Sequence, residues 1–267
     1  MRKKKPILPI KERSAKTAGF TCICRAQSFR EKNPFLKCDD YIAQTMIPVS
    51  VKIFLKLNII KLLSALVPKS TYTYIAARTK LFDTIFKDAV QNDFEQIVSF
   101  CPGYDSRGIR LLEGSKKTKL FELDVKETQA LKIKGLEKQK IYFPSSISFI
   151  SIDFDNEPIK EKLLSSDFKG NRKTLFILEG SFMILNKKSI SNIFELFQSI
   201  TGKESEILFD CIDKSLFENN SKLELISLTD SDDFRKEYFE KTNKNFKKIK
   251  NLHYIVHAKK QINASNC

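Results

Sequence analysis

Val98-Ser99-Phe100-Cys101-Pro102-Gly103-Tyr104-Asp105-Ser106-Arg107 begins as an apolar run and ends in a tight turn carrying a Gly, an Asp and an Arg. A second apolar run ends in acid at Leu120-Phe121-Glu122-Leu123-Asp124, a third at Ile152-Asp153-Phe154, and a fourth at Ile177-Leu178-Glu179-Gly180. Helix-length segments separate these runs. Strands that alternate with helices imply a mainly parallel sheet covered on both faces. In such a sheet, ligands bind outside the carboxyl ends of the strands. The residues that finish the runs therefore converge on one pocket, and a nucleoside-containing ligand is its natural occupant.

Working outward, the pattern predicts helix 81–92, strand 96–100, a short helix after Arg107, strand 118–123 and helix 126–138. Strand 147–152, helix 157–166, strand 174–179, helix 187–201 and strand 205–211 follow. Strand 222–228, helix 231–248 and strand 252–258 close the chain, an ending compatible with an antiparallel hairpin-like insertion. Upstream, residues 1–13 are basic, contain Pro6 and Pro9, and read as a flexible tail. Residues 14–80 read as a helical N-terminal cap and residues 81–267 as the sheet domain. The apolar stretch from Val51 to Val67 is interrupted by Lys52, Lys56, Asn58 and Lys61, too short and too charged for a transmembrane helix. It is expected to pack over the sheet domain and to end at Pro68; its basic face leaves peripheral membrane contact as an alternative.

The net charge of +15 matters for where it sits. Residues 1–80 hold 17 Lys and Arg against 4 Asp and Glu, a net of +13, whereas residues 81–267 hold 30 against 28, a net of +2. The sheet domain is thus nearly neutral. A basic N-terminal segment attracts nucleic acid, anionic membrane or acidic ligands, or is a solvated surface. No base-flipping motif such as Asn-Pro-Pro-Tyr is present and the charge is not interleaved with stacking aromatics, which argues against nucleic acid.

Six Cys without a CxxC pair point to reduced thiols and a cytoplasmic setting. Cys22-Ile23-Cys24 with the distant Cys38 does not match zinc spacing. His253 and His257 fall in a strand-like segment, unlike the two His of a helical HExxH site, so no metal is expected there.

Each candidate site residue has a competing structural reading. Gly103 suits a turn with positive φ, and Asp105 could cap the following helix. Glu122 and Asp124 share a strand face at the position where a carboxylate receives ribose hydroxyls, or they are surface acids. Asp153 could serve as a cap through Asp153-Phe154-Asp155. Glu179 ends the run Leu175-Phe176-Ile177-Leu178, where an unpaired carboxylate is costly, and so points most directly to a ligand or a buried partner.

The order Arg78-Thr79-Lys80-Leu81-Phe82-Asp83, Gly103-Tyr104-Asp105-Ser106-Arg107, Phe121-Glu122-Leu123-Asp124, Asp153-Phe154 and Leu178-Glu179-Gly180-Ser181-Phe182-Met183-Ile184-Leu185 resembles the leucine carboxyl methyltransferase family. Thr17-Ala18, Arg25-Ala26 and Asp39-Asp40 also look like its N-terminal segment. The resemblance implies an α/β, Rossmann-like class I methyltransferase fold: a seven-stranded, mostly parallel sheet with helices on both faces and an N-terminal helical cap. It implies S-adenosyl-L-methionine as methyl donor. Carried over by position, Arg78 would pair with the methionine carboxylate, which a guanidinium grips through two parallel hydrogen bonds. Gly103 would admit the methionine part and Asp105 would support the turn or contact the amino group. Asp124, with Glu122 as its rival, would hold the ribose; Asp153 and Phe154 would flank the adenine. Glu179 would line the methionine or substrate side. The chain departs from the family pattern at Cys101, where a glycine is usual, at Pro102, at Asp40-Tyr41 in place of Asp-Pro, and at Ile184 in place of a Tyr.

Methyl transfer asks the protein chiefly to align nucleophile and methyl carbon. A carboxylate acceptor needs no base, whereas a hydroxyl does. With both His read as part of the last strand, the sequence favours a carboxylate or an acidic hydroxyl of a small molecule or a peptide C-terminus. A catalytically degenerate binding or regulatory module, motivated by Cys101, Pro102 and Ile184, is the alternative; a nucleic-acid methyltransferase, motivated by the basic N-terminal region, ranks behind it.

Overall fold

The computed structural model describes residues 10–56, 69–112, 114–115, 117–218, 220, 222–234, 236–237 and 253–261. In chain order the elements are α1 (Ile10–Phe29), α2 (Ala43–Met46), α3 (Val49–Lys56), α4 (Lys69–Gln91), β1 (Gln96–Phe100), α5 (Arg107–Leu111), β2 (Lys119–Asp124), α6 (Lys126–Glu137) and β3 (Ile147–Ser151). They continue with α7 (Ile159–Leu164), β4 (Thr174–Leu178), a 3-10 turn (Ser181–Met183), α8 (Lys187–Ile200), β5 (Glu206–Cys211), α9 (Ser215–Glu218), β6 (Leu223–Thr229), α10 (Ser231–Phe234) and β7 (Tyr254–Lys260). The seven strands form one sheet in the order β3-β2-β1-β4-β5-β7-β6. β1 to β5 pair in parallel, and β7 runs antiparallel between β5 and β6. This is the expected seven-stranded, mostly parallel, Rossmann-like sheet of class I methyltransferases.

The central strands explain themselves. β1 and β4 are buried along their whole length, so they read as continuous apolar runs rather than as alternation, as strands covered on both faces must. Alternate residues then divide between two cores. Val98, Phe100, Phe121, Leu123, Phe176, Leu178, Ile207 and Phe209 pack on one face with Ile193, Leu196 and Phe197 of α8. Ile97, Leu120, Leu175, Ile177 and Leu208 pack on the other with Phe82, Ile85, Phe86 and Ala89 of α4. α8 carries its apolar residues on one stripe, at Ile190, Ile193, Leu196, Phe197 and Ile200. Its start is fixed by Asn186, whose side-chain oxygen accepts from the Ser189 N–H at 2.8 Å, a cap of the usual chemistry.

Register brings the functional edge together. Phe100 is level with Leu123, Asp124 with Ser151, Leu178 with Phe209 and Cys211 with Tyr254. Because β7 is antiparallel, its amino end joins the carboxyl ends of the parallel strands. The last segment of the chain therefore delivers His253 to the edge where ligands bind.

Two boundaries differ from the sequence expectation. The first described residues, 10–13, belong to α1 although the sequence reading assigns them to the 1–13 tail, and Ile10 is buried in the main core. The expected division at 80/81 falls within α4, which runs unbroken from Lys69 to Gln91 and carries Arg78 on a helix of the sheet's own core. Of the expected helix over Val51–Val67, residues 57–67 lie outside the described residues, as do residues 235 and 238–248 of the expected helix 231–248 and residue 252 of the expected strand 252–258. Among the described residues no helix is long and apolar enough to cross a membrane.

Candidate active site

The turn after β1 keeps a glycine's path without the glycine. Cys101, at the position of the family's usual extra glycine, has φ 51° and Gly103 has φ 57°. The left-handed region costs a side-chain-bearing residue about 1–2 kcal/mol, so neighbouring bonds must hold Cys101 there. Its N–H donates to the Leu123 carbonyl at 2.8 Å, and its thiol is buried, which pushes its pKa well up. The Gly103 N–H donates to Asp124 Oδ2 at 2.8 Å. A Cβ on Gly103 would stand 2.8 Å from the Ala18 Cβ of α1, so glycine is required here both for its φ and for the approach of α1.

Asp124 is surrounded by donors. Besides Gly103, the Val125 N–H donates to its Oδ1 at 2.7 Å and Ser14 Oγ donates to the same oxygen at 3.1 Å. Thr128 in turn donates to Ser14 Oγ at 3.1 Å. Burial raises the Asp124 pKa, and the Gly103, Val125 and Ser14 bonds only partly offset it. Glu122, its rival for the ribose, forms a buried pair with Lys132 of α6, Nζ to Oε2 at 2.5 Å. Burial pushes Glu122 up to about 7 against the pull of the Lys132 ammonium.

Opposite this turn lies a network of buried charge. Arg78 donates from Nε to Glu179 Oε1 at 3.0 Å and from Nη1 to Asp210 Oδ2 at 2.7 Å. Arg107 bridges Glu179 Oε2 at 2.6 Å, Asp105 Oδ2 at 2.8 Å and Asp83 Oδ1 at 2.7 Å. Arg110 also binds Asp83, at 2.9 Å, and Arg25 binds Asp40 at 2.8 Å. Burial alone would raise the carboxyls, but the guanidiniums win: Arg107 and Arg78 hold Glu179 below the usual carboxylate range, and Arg107 does the same for Asp105. Glu179 is therefore ionised and paired, which removes the cost that made it conspicuous in sequence. The network ties α4, α5 and the ends of β4 and β5 together, fixing the walls of one cavity.

That cavity has a volume of about 980 Å³, at the upper end of the range for ligand pockets. Arg78, Gly103, Asp105 and Glu179 line it. Glu122, Asp124, Asp153 and Phe154 are absent from its lining. Asp124 sits behind the turn with Ser14, itself on the wall, capping it. Asp153 accepts from the Asp155 N–H at 3.0 Å and from Asn156 Nδ2 at 2.9 Å, the local turn role that competed with adenine contact. Phe154 is buried in the core, and its carbonyl accepts from Ser189 Oγ at 2.8 Å.

Several residues on this edge carry no role in the sequence reading. Asp210 ends Ile207-Leu208-Phe209 as Glu179 ends its own run, and the burial rule that flags Glu179 flags it equally. It accepts from the Gly180 N–H at 2.5 Å and from Tyr74 Oη at 3.0 Å. His253 also lines the cavity. It precedes β7 rather than lying within it, and its ring stacks on Tyr74 with centroids 4.3 Å apart and planes 26° from parallel. His257 instead contacts Glu206, Nε2 to Oε2 at 2.6 Å. Four residues of extended chain separate the two His by about 13 Å, too far to share a metal, and the described residues hold no cluster of three or more metal-ligating side chains.

The residues present suit an amino-acid-bearing nucleoside cofactor. One wall offers a guanidinium for a carboxylate and the carboxylates of Asp105 and Glu179 for a cationic group, beside two turns, at Gly103 and Gly180, whose φ values of 57° and 67° let backbone approach a ligand closely.

The chain is similar to several known proteins. A protein from Bacillus subtilis (strain 168), "Putative S-adenosyl-L-methionine-dependent methyltransferase YktD", is 26% identical over 227 residues, covering 78% of this chain and 74% of that protein. A methyltransferase of the same description from Mycolicibacterium gilvum (strain PYR-GCK) is 30% identical over 138 residues, 51% of this chain and 55% of its own length. The match thus spans about half of that mycobacterial relative. Among solved structures, TehB from Haemophilus influenzae superimposes with a TM-score of 0.43 at 16% identity, over 72% of this chain and 67% of that one. The family model described as leucine carboxyl methyltransferase matches residues 20–198, more than half of the chain, from within α1 to within α8. The chain belongs to the leucine carboxyl methyltransferase family.

Proposed function

We propose that this chain transfers a methyl group from S-adenosyl-L-methionine to an oxygen of a small molecule or peptide, a carboxylate or an acidic hydroxyl. Membership of the family makes it an S-adenosyl-L-methionine-dependent methyltransferase, and that cofactor supplies an electrophilic methyl on a sulfonium. The observation that carries the reading is Arg78, buried on the cavity wall between Glu179 and Asp210. Arg78 would hold the methionine carboxylate, with Asp105 and Glu179 near the amino group. The Gly103 turn would take the methionine part, and Asp124 the ribose once Ser14 gives way. Asp153 and Phe154, on the loop after β3, would border the adenine from outside the present cavity.

The altered turn supports the active reading over the degenerate one, because Cys101 adopts the glycine-like φ of 51°. Five described Cys, all buried and unpaired, support a reducing compartment, and we propose the cytoplasm. The acceptor atom is tested by methylating a pool of small acids and phenols with labelled cofactor and treating the products with mild alkali. Esters and ethers separate by alkaline lability; label found only on nitrogen, sulfur or carbon contradicts the proposal.

A further inference from the structure

We propose that the methyl acceptor carries an apolar chain, and that this chain lies in a second cavity, a trough along α8 that opens from the first. The inference rests on the methyltransferase reading above and names the body of the acceptor, leaving its oxygen as stated there. The trough has a volume of about 690 Å³ and shares two wall residues, Phe182 and Ile212, with the first cavity. Both follow the carboxyl ends of β4 and β5, whereas Gly103 and Asp105 follow β1. An acceptor whose oxygen sits at the β4–β5 side of the site therefore continues past these two side chains into the trough. Phe182, Leu185, Ile190, Phe194, Ile212 and Leu216 give it an apolar lining. Phe182, Phe194 and Leu216 are only partly buried against the core, and Ile212 is 70% exposed. A concave, mostly apolar lining of this volume is the usual form of a small-molecule site.

The shape and charge of the trough suit a chain. On α8, Lys187, Ile190, Ser191, Phe194 and Gln198 line it, a spacing that stays on one face of a helix. From Lys187 to Gln198 that face runs about 16 Å. Packed rings hold its walls in place: Phe182 and Phe194 both rest on the buried Phe209, with centroids 5.6 Å and 5.3 Å from it. The far end is tied by Gln198, whose Nε2 donates to the Lys222 carbonyl at 2.8 Å, and Lys222 lines the trough as well. The trough thus has a finite length. Among the described residues its charged lining is balanced, Lys187 and Lys222 against Glu195 and Asp213, so it offers an ion of either sign no net attraction. An uncharged chain needs none, because it gains by leaving water for the apolar walls.

The test uses the full chain, methyl-labelled S-adenosyl-L-methionine and two series of acceptors, straight-chain acids from acetic to dodecanoic and para-alkylphenols from methyl to dodecyl. In whichever series is methylated, each added methylene should lower KM about two- to four-fold, the worth of a CH2 leaving water, until the chain fills the trough. Ser191 is exposed on the lining face of α8, so Ser191→Phe should fill the trough and leave the core intact. It should raise KM for the longest acceptors by about ten-fold or more, leave KM for the shortest unchanged, and keep cofactor affinity by calorimetry. Asn192→Phe, at the next position and also exposed, should match the parent throughout. In the cofactor-free protein, dodecanoic acid should bind to the parent and to Asn192→Phe and not to Ser191→Phe. The proposal is overturned by a KM that ignores chain length, by no transfer to either series from cofactor-bound protein, or by a folded Ser191→Phe that takes long chains as the parent does. It is also overturned if the parent fails to bind dodecanoic acid, or if light scattering finds a dimer that Ser191→Phe splits with no effect of chain length; the trough is then an interface between copies. Failure of the folded parent to bind cofactor would instead overturn the methyltransferase reading, and the acceptor assignment with it, whether or not the trough takes dodecanoic acid.

Discussion

The two ends of the carboxyl edge are built differently. At the β1–β2 end, Asp124 is closed in by protein donors from Gly103, Val125 and Ser14, and α1 lies against the turn. At the β4–β5–β7 end, Arg78, Asp210, Glu179 and His253 surround open volume. The first end is a backbone device: positive-φ positions on either side of Pro102 and a helix in close contact. The second is an electrostatic device, in which guanidiniums and carboxylates from four elements fix one another. A buried pair of charges adds little stability over an apolar replacement, but removing one partner is expensive. The second end therefore specifies geometry at a cost, as a site for a charged ligand should.

That contrast can be broken most severely just beside the first end. Lys132→Met leaves Glu122 buried without its ammonium, and should cost about 3–5 kcal/mol near pH 8. The cost depends on pH. Glu122 is raised in the folded chain from 4.5 to about 7, so the folded state keeps a proton that the unfolded state has lost between those values. The associated stability is present below pH 4.5 and drains away as pH rises through 7. Loss of Lys132 raises the folded value further, so urea denaturation should find the variant much closer to the parent at pH 5 than at pH 8. Equal losses at both would mean that Glu122 stays ionised without its partner.

A smaller effect comes from Gly103→Ala. The new methyl meets Ala18 at 2.8 Å at a φ that costs about 1–2 kcal/mol. The expected loss is about 2 kcal/mol in the same denaturation experiment, accompanied by faster amide exchange across α1. Unchanged exchange would mean that α1 does not depend on this contact. Smallest is Ser14→Ala, which removes one donor from Asp124 for about 1 kcal/mol. Because the hydroxyl would otherwise have to leave Asp124 before ribose arrives, this variant should bind cofactor at least as well as the parent despite its lower stability. Weaker binding would make Ser14 part of the ribose site instead of its cover.

The sequence made the first end legible and left much of the second hidden. β1 is found at its predicted residues and β4 within one residue of them, because fully buried strands read as apolar runs bounded by turns and acids. The alternation that puts Glu122 and Asp124 on one face could not tell which of them pairs with Lys132, since that depends on how α6 packs on the sheet. Asp83 and Arg107 enter the sequence reading only inside motifs, and Arg110 not at all; only the tertiary fold makes them a network. Asp210 was accessible by the reasoning applied to Glu179. His253 was not: its place depends on β7 entering between β5 and β6 in the antiparallel sense, and a run of apolar residues does not encode its neighbours.

The most direct test of the account is a calorimetric titration with S-adenosyl-L-methionine of the parent chain and of Arg78→Lys, which keeps the charge and loses the planar fork. Binding by the parent that weakens at least ten-fold in a folded Arg78→Lys variant is the predicted result. Equal affinity in the two, or no binding by the folded parent, would contradict the assignment of this cavity to the cofactor through Arg78.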